Sequence, residues 1–179
     1  MRIKIKHRYI LKNKETKKLL SRVCSRYPLL YQNIITKHQE IYVENVILDN
    51  IKVYVIKGEP ILIEMENELL FPTISLLNNI GIEEKKSILP CVIIDQGALP
   101  RIVNGADIMV PGIIEVIGSF HENEIIQVLE CSYNMTIAIG KTIYSSDVIC
   151  TMKHGKVIKN IHYVGDKIWK IMKQYFDIW

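Results

Sequence analysis

Cys91-Val92-Ile93-Ile94-Asp95-Gln96-Gly97-Ala98-Leu99-Pro100-Arg101-Ile102-Val103-Asn104-Gly105-Ala106-Asp107-Ile108-Met109-Val110-Pro111-Gly112 is the stretch on which the reading of this chain turns. Leu89 to Ile94 is an unbroken apolar run of strand length, the pattern of a strand buried on both faces. Ala98 to Val103 leaves room for one short helix before the break at Gly105. Gly97 and Gly105 are expected at positive-φ positions at the two ends of that helix, and Ala98 and Ala106 leave its backbone open to close approach.

Downstream, short strands alternate with turn signals. Strands are expected over Gly112–Ile117, Ile125–Cys131, Thr136–Gly140 and Lys156–Tyr163, parted by Gly118-Ser119, Glu122-Asn123-Glu124, Tyr133-Asn134 and His154-Gly155. Many short strands in so short a span predict a small barrel. From Asp166 to Phe176 the residues Ile168, Trp169, Met172 and Phe176 recur at helical spacing, so an amphipathic helix is expected to close it.

Upstream, Glu40 to Glu66 reads as a β-meander, with strands over 41–48, 51–56 and 61–65 and turns at Asp49-Asn50 and Lys57-Gly58-Glu59-Pro60. A short helix is expected near Pro72 to Asn79. The first residues alternate Ile3 and Ile5 against Arg2, Lys4, Lys6 and Arg8, the period of a half-buried strand. Asn13 is read as the cap of a helix over Lys14–Tyr27, with Leu19, Leu20, Val23, Cys24 and Tyr27 on one side and Lys14, Lys18, Arg22 and Arg26 on the other. Pro28 is expected to stop it. Gly81 to Ser87, with paired acids and lysines, reads as a surface connection, which gives domains 1–84 and 88–179.

The net charge of +4 over 179 residues hides an asymmetry. Residues 1–26 hold ten Lys or Arg and one acid, Glu15, and so carry +9, while the remainder carries −5. A concentrated cationic surface points to a polyanion as partner. Without an apolar run long enough to span a bilayer and without a signal-peptide core, a cytoplasmic protein with no membrane role is expected. Cys24, Cys91, Cys131 and Cys150 lie too far apart in sequence for a zinc or redox motif and are read as buried small residues, with a disulfide, as occurs inside hyperthermophiles, left open. Gly140-Lys141-Thr142 fails as a phosphate-binding loop because Met135 stands where the first glycine is required. The five histidines have no ligand spacing, so neither metal nor cofactor is expected.

Three features of the opening stretch, the Asp95-x-Gly97-Ala98 turn, Gly105-Ala106-Asp107 after the short helix and Pro111-Gly112-Ile113 opening the next strand, closely resemble the core of the PUA domain, the module named for pseudouridine synthases and archaeosine transglycosylases. Phe71-Pro72-Thr73 and His162-Tyr163-Val164-Gly165-Asp166-Lys167-Ile168-Trp169 are similar to archaeal relatives of the malignant T-cell amplified sequence proteins. Those are ribosome-associated translation factors that join a small N-terminal pre-PUA domain to a PUA domain. The resemblance covers nearly the whole chain, with its most specific motifs in the C-terminal half.

The resemblance implies an α+β fold: a small N-terminal α/β domain followed by a PUA-type mixed β pseudobarrel with short helices. It implies a non-catalytic RNA-binding protein, associated with rRNA or tRNA at the small ribosomal subunit in initiation, reinitiation or recycling, with a density-regulated-protein-like factor as protein partner. Carried over residue by residue, the RNA site would comprise Gly97, Ala98, Arg101, Asn104, Gly105, Ala106, Asp107, Met109 and Pro111, with Lys156 and Lys159 opposite. Asp95 would end its strand and order the turn. Residues 89–179 carry −1, so phosphate attraction is expected to come from the basic strand and helix at the other end, through Lys14, Lys18 and Arg22. Two other readings remain open: an RNA-binding accessory subunit of an RNA-modification enzyme, and a protein–protein adaptor using strand edges or the aromatics Trp169, Tyr175, Phe176 and Trp179.

Overall fold

The computed structural model describes residues 5–36, 43–48 and 51–176, and the chain divides into two compact units that part between Leu76 and Leu77. Arg2, Lys4, the Asp49-Asn50 turn and Trp179 lie outside the described residues.

In the first unit, β1 (His7–Ile10) precedes α1 (Asn13–Arg26). Asn13 is the first residue of the helix and not its cap; that place falls to Lys12, whose backbone N–H donates to the Glu15 carboxylate at 3.0 Å. Leu19 and Val23 are buried, but Cys24 is exposed, so the apolar stripe is narrower than expected. Tyr27 ends α1, and its phenol donates to the Leu70 carbonyl at 2.6 Å. Pro28 stops one helix and starts the next: it is the first residue of α2 (Pro28–Leu30), where a missing N–H costs nothing, and a π-helical turn follows over Tyr31–Ile35.

The meander comprises β2 (Val43–Leu48), β3 (Ile51–Ile56), β4 (Glu59–Met65) and β5 (Leu69–Pro72), giving an antiparallel sheet in the order β1-β2-β3-β4-β5. Lys57 and Gly58 both have positive φ (52° and 84°), the signature of a two-residue type I′ hairpin, so β4 begins at Glu59, two residues before the sequence expectation. β5 was not foreseen, because Pro72 argues against a strand; it is tolerated there at the end of the last strand of the sheet. Buried within this unit, Glu64 accepts from Arg22 at 3.0 Å and from the Tyr54 hydroxyl, with Lys52 at 3.5 Å. Burial would raise the Glu64 pKa, but its Tyr54 and Arg22 hydrogen bonds and the charges of Arg22 and Lys52 hold it below the usual value.

Helix α3 (Ile74–Asn79) spans the parting of the units. The segment expected as a surface connection is instead α4 (Ile82–Ile88), with Lys85 and Ile88 buried. The reason lies in a polar network that sequence spacing does not reveal. The Gln127 amide donates to the Lys85 and Leu89 carbonyls at 2.7 and 2.9 Å, and Asn78 exchanges two hydrogen bonds with the Thr136 backbone at 2.8 and 2.9 Å.

The second unit then runs β6 (Cys91–Ile94), α5 (Leu99–Ile102), β7 (Ile108–Met109), β8 (Ile113–Ile117), β9 (Ile125–Glu130), β10 (Thr136–Thr142), α6 (Ser146–Thr151), β11 (Lys156–Tyr163) and α7 (Lys167–Phe176). The strands form a mixed sheet in the order β7-β11-β10-β9-β6-β8, parallel between β6 and β9 and antiparallel elsewhere. This is the α+β arrangement with short helices expected, around a core that includes Val92, Ile94, Ile102, Phe120, Val128 and Ile158. Asp166 caps α7, accepting from the Trp169 backbone at 2.7 Å and binding the buried His162 Nδ1 at 2.7 Å, which gives His162 a structural place. α7 buries Ile168, Trp169, Ile171 and Met172. Cys91 is fully buried and Cys131 half-buried, but Cys150, like Cys24, is exposed, which corrects the expectation of four buried thiols.

Candidate functional site

In the second unit the turn after β6, helix α5 and the segment through β7 enclose a groove of about 500 Å³. Its lining is Asp95, Gly97, Ala98, Arg101, Ile102, Ala106, Asp107, Met109, Pro111 and Gly112. The walls are made by tight backbone contacts. The Asp95 N–H donates to the Gly112 carbonyl at 2.9 Å, and the Asp95 carboxylate accepts from the Ala98 N–H at 2.7 Å, ordering the turn. A Cβ on Gly112 would lie 2.8 Å from that of Ala98, so this crossing requires glycine. Gly105 has φ of +92° and terminates α5 against Tyr163 as expected, whereas Gly97 is not in the left-handed region; it is small because Asp95 Oδ1 sits 3.3 Å from where its Cβ would be.

Opposite α5, Asp107 is fixed from two sides. Oδ1 accepts from the Asn160 N–H at 2.9 Å, and Oδ2 lies 3.1 Å from the Lys156 ammonium. Burial alone would raise its pKa, but the Asn160 N–H and the charges of Lys156 and Lys159 hold it below the usual carboxylate range. The Asn160 amide donates to the Ile102 and Ala106 carbonyls at 3.0 Å each, bracing the end of α5. The arrangement is a mostly apolar slot with exposed Arg101 and Met109 on it and carboxylates already committed to internal partners.

Of the residues selected from sequence, Gly97, Ala98, Arg101, Ala106, Asp107, Met109 and Pro111 come together in the groove. Asn104 and Gly105 end α5 outside the lining, and the Asn104 amide folds back onto the Pro100 carbonyl at 2.8 Å. Lys156 and Lys159 are exposed on β11, the first engaged by Asp107. Ile102 and Gly112 line the groove and were not selected, although both stand within the opening motif. Asn160 was missed altogether; nothing in its local sequence marks it.

In the first unit Lys14 and Lys18 are exposed on α1. Arg22 differs: Nη1 donates to Glu64 and Nη2 to the Glu68 carbonyl at 3.2 Å, so it is braced against the sheet. A cavity of about 440 Å³ beside it is lined by Ser21, Arg22, Ser25, Arg26, Glu68 and Leu70. Among the described residues, no three His, Cys, Asp or Glu side chains converge to hold a metal ion, and no helix is long and apolar enough to cross a membrane.

This construction has recognisable counterparts. The PUA domain family matches residues 90–164, and the Pre-PUA-like domain family matches residues 2–80. The class is therefore a PUA protein with a pre-PUA unit before it. An uncharacterized protein of Methanocaldococcus jannaschii is 31% identical over 170 residues, covering 93% of this chain and 98% of the relative. Translation machinery-associated protein 20 of Eremothecium gossypii is 26% identical over 169 residues, 89% of each chain. Malignant T-cell-amplified sequence 1 of Danio rerio is 26% identical over 130 residues, 71% of this chain and 68% of that protein. The crystal structure of a hypothetical protein from Pyrococcus horikoshii superposes with a TM-score of 0.78 at 29% identity, covering 92% of this chain and 99% of the other. The chain belongs to the pre-PUA/PUA family that these translation machinery-associated and malignant T-cell-amplified sequence proteins represent.

Proposed function

We propose that this chain is a non-catalytic RNA-binding protein of the translation machinery, acting in the cytoplasm at the small ribosomal subunit or on tRNA. The observation that carries the reading is the groove. Small residues and exposed backbone along α5 admit a sugar edge or a splayed base, and Arg101 supplies a guanidinium at its wall. The names of the relatives support a place in translation, and the PUA domain supports RNA as the ligand. Lys14 and Lys18 on α1 add sequence-independent attraction to phosphate. A density-regulated-protein-like factor is the protein partner in this reading, and initiation, reinitiation or recycling is the step.

The test is binding of the full chain to isolated small ribosomal subunits and to tRNA over a range of salt. Affinity should fall along a straight line in log–log form, with a slope set by the number of phosphates neutralised. Ala106→Leu, which fills the slot from an exposed position, should abolish discrimination among RNAs while preserving that slope. Binding indifferent to both salt and Ala106→Leu overturns the proposal.

A further inference from the structure

Tyr133 is the most exposed large hydrophobic side chain among the described residues, at 83%. It sits in the five-residue connection, Cys131 to Met135, between β9 and β10, where a small polar residue is the usual choice. The turn is not loose. The Glu130 carboxylate accepts from the backbone N–H groups of Ser132, Tyr133 and Met135 at 2.7, 2.8 and 3.0 Å. Asn134 takes φ of +53°, and the Glu130 N–H closes on the Met135 carbonyl at 3.0 Å. One carboxylate thus gathers three donors and holds the ring out from a fixed base.

The position of this turn follows from the sheet. β6 and β9 are parallel neighbours with Ile94 opposite Glu130, so the turns that leave their C-terminal ends emerge side by side. One of these is Asp95-Gln96-Gly97, the wall of the groove; the other carries Tyr133. The Gln96 amide donates to the Ser132 hydroxyl and ties them together. Glu130 is occupied by the backbone donors, so its carboxylate is committed within the turn, which offers an exposed ring on a fixed base beside the groove. Such a surface suits the face of a nucleobase, which stacks on an aromatic side chain whatever its sequence.

We propose that Tyr133 is a stacking platform for an unpaired nucleobase of the RNA strand that leaves the groove past Gly97. This rests on the reading of the groove as an RNA site. It divides the labour on this face between a slot that takes backbone and sugar and a ring that takes the next exposed base.

The experiment compares the full chain with Tyr133→Ala, Tyr133→Phe and Tyr133→Trp, using an RNA hairpin with a single-stranded extension bearing 2-aminopurine and the same hairpin with a blunt end. Tyr133→Ala should weaken binding of the extended hairpin by about tenfold and leave the blunt one unchanged. Phe and Trp should retain affinity, and the 2-aminopurine quenching seen with the parent chain should vanish only in the alanine variant. Equal loss on both RNAs overturns the proposal, since it reports a damaged turn. Unchanged RNA affinity in Tyr133→Ala, alongside weakened binding in Arg101→Ala, overturns the stacking and leaves the groove reading standing. If that variant keeps its RNA affinity but loses whole small subunits, the ring belongs to a protein contact and the proposal again fails. If neither Tyr133→Ala nor Arg101→Ala alters RNA binding, the groove reading falls, and this one with it.

Discussion

The ammonium of Lys156 lies 3.1 Å from the carboxylate of Asp107, across the strand pair β7 and β11. A lysine that the sequence offers to phosphate is therefore already neutralised by an acid of the groove. Both groups are partly exposed, so the pair adds little to stability, roughly 0–1 kcal/mol, but it sets the electrostatics of the slot. Asp107→Asn keeps an acceptor for the Asn160 N–H and releases the ammonium. Nonspecific RNA affinity should rise, and the slope of log affinity against log salt should steepen by about one; an unchanged slope would show that Lys156 never meets phosphate.

The cations of α1 separate into two kinds. Lys14→Glu with Lys18→Glu should weaken binding to all RNAs while leaving the urea midpoint within error, because both side chains are exposed. Arg22→Ala leaves the buried Glu64 with the Tyr54 hydroxyl and Lys52 as its remaining partners, and should lower unfolding free energy by about 1–3 kcal/mol. Urea melts beside anisotropy titrations distinguish the two effects.

Gly105→Ala meets two obstacles, a φ of +92° and the Tyr163 hydroxyl 2.8 Å from the new methyl. A loss of about 1–3 kcal/mol is expected. Pairing it with Tyr163→Phe should recover only the steric part, which a thermal melt of the double variant measures.

The Glu130 carboxyl would be raised by burial, but the N–H groups of Met135, Ser132 and Tyr133 outweigh that and hold it below its ordinary 4.5. Glu64 is lowered in the same way by its partners. In acid the unfolded chain therefore binds protons that the folded chain does not. The stabilisation is complete above about 4.5 and disappears as pH falls through the depressed folded values. Unfolding free energy measured across this range should decline, and Glu130→Gln should make the decline shallower; an identical slope would mean that the turn contributes nothing.

Thiol reactivity should follow burial. Cys24 and Cys150 should label within minutes in the native state, while Cys91, whose thiol burial pushes up to about 11, should resist until the chain unfolds. Mass spectrometry of a maleimide time course checks the order.

What the sequence disclosed depended on how far apart the interacting residues stand. β11 occupies Lys156–Tyr163 as expected because its β-branched Val157, Ile158 and Ile161 and the His154-Gly155 turn signal before them are local, and most of the groove fell within one contiguous motif for the same reason. α4 was misread because its acids and lysines suggest solvent, while the partner that buries its end is Gln127, some forty residues on. α6 was missed because Val148, Ile149 and Cys150 carry strand-like chemistry behind a Ser-Ser-Asp start that reads equally well as a turn. Asn160 reaches the groove through the carbonyls of Ile102 and Ala106, more than fifty residues away. Tyr133 was visible only as half of a turn signal, since sequence cannot say that a ring will face outward.

The ion pair between Arg22 and Glu64 also bears on registration. By clamping α1 to its sheet from within, it fixes the rotation of the helix about its own axis. Lys14 and Lys18 therefore occupy set marks about 6 Å apart along that axis. The helix works as a ruler whose zero lies in the core, so one residue inserted between Lys18 and Arg22 would turn both marks about 100° away without removing a single charge.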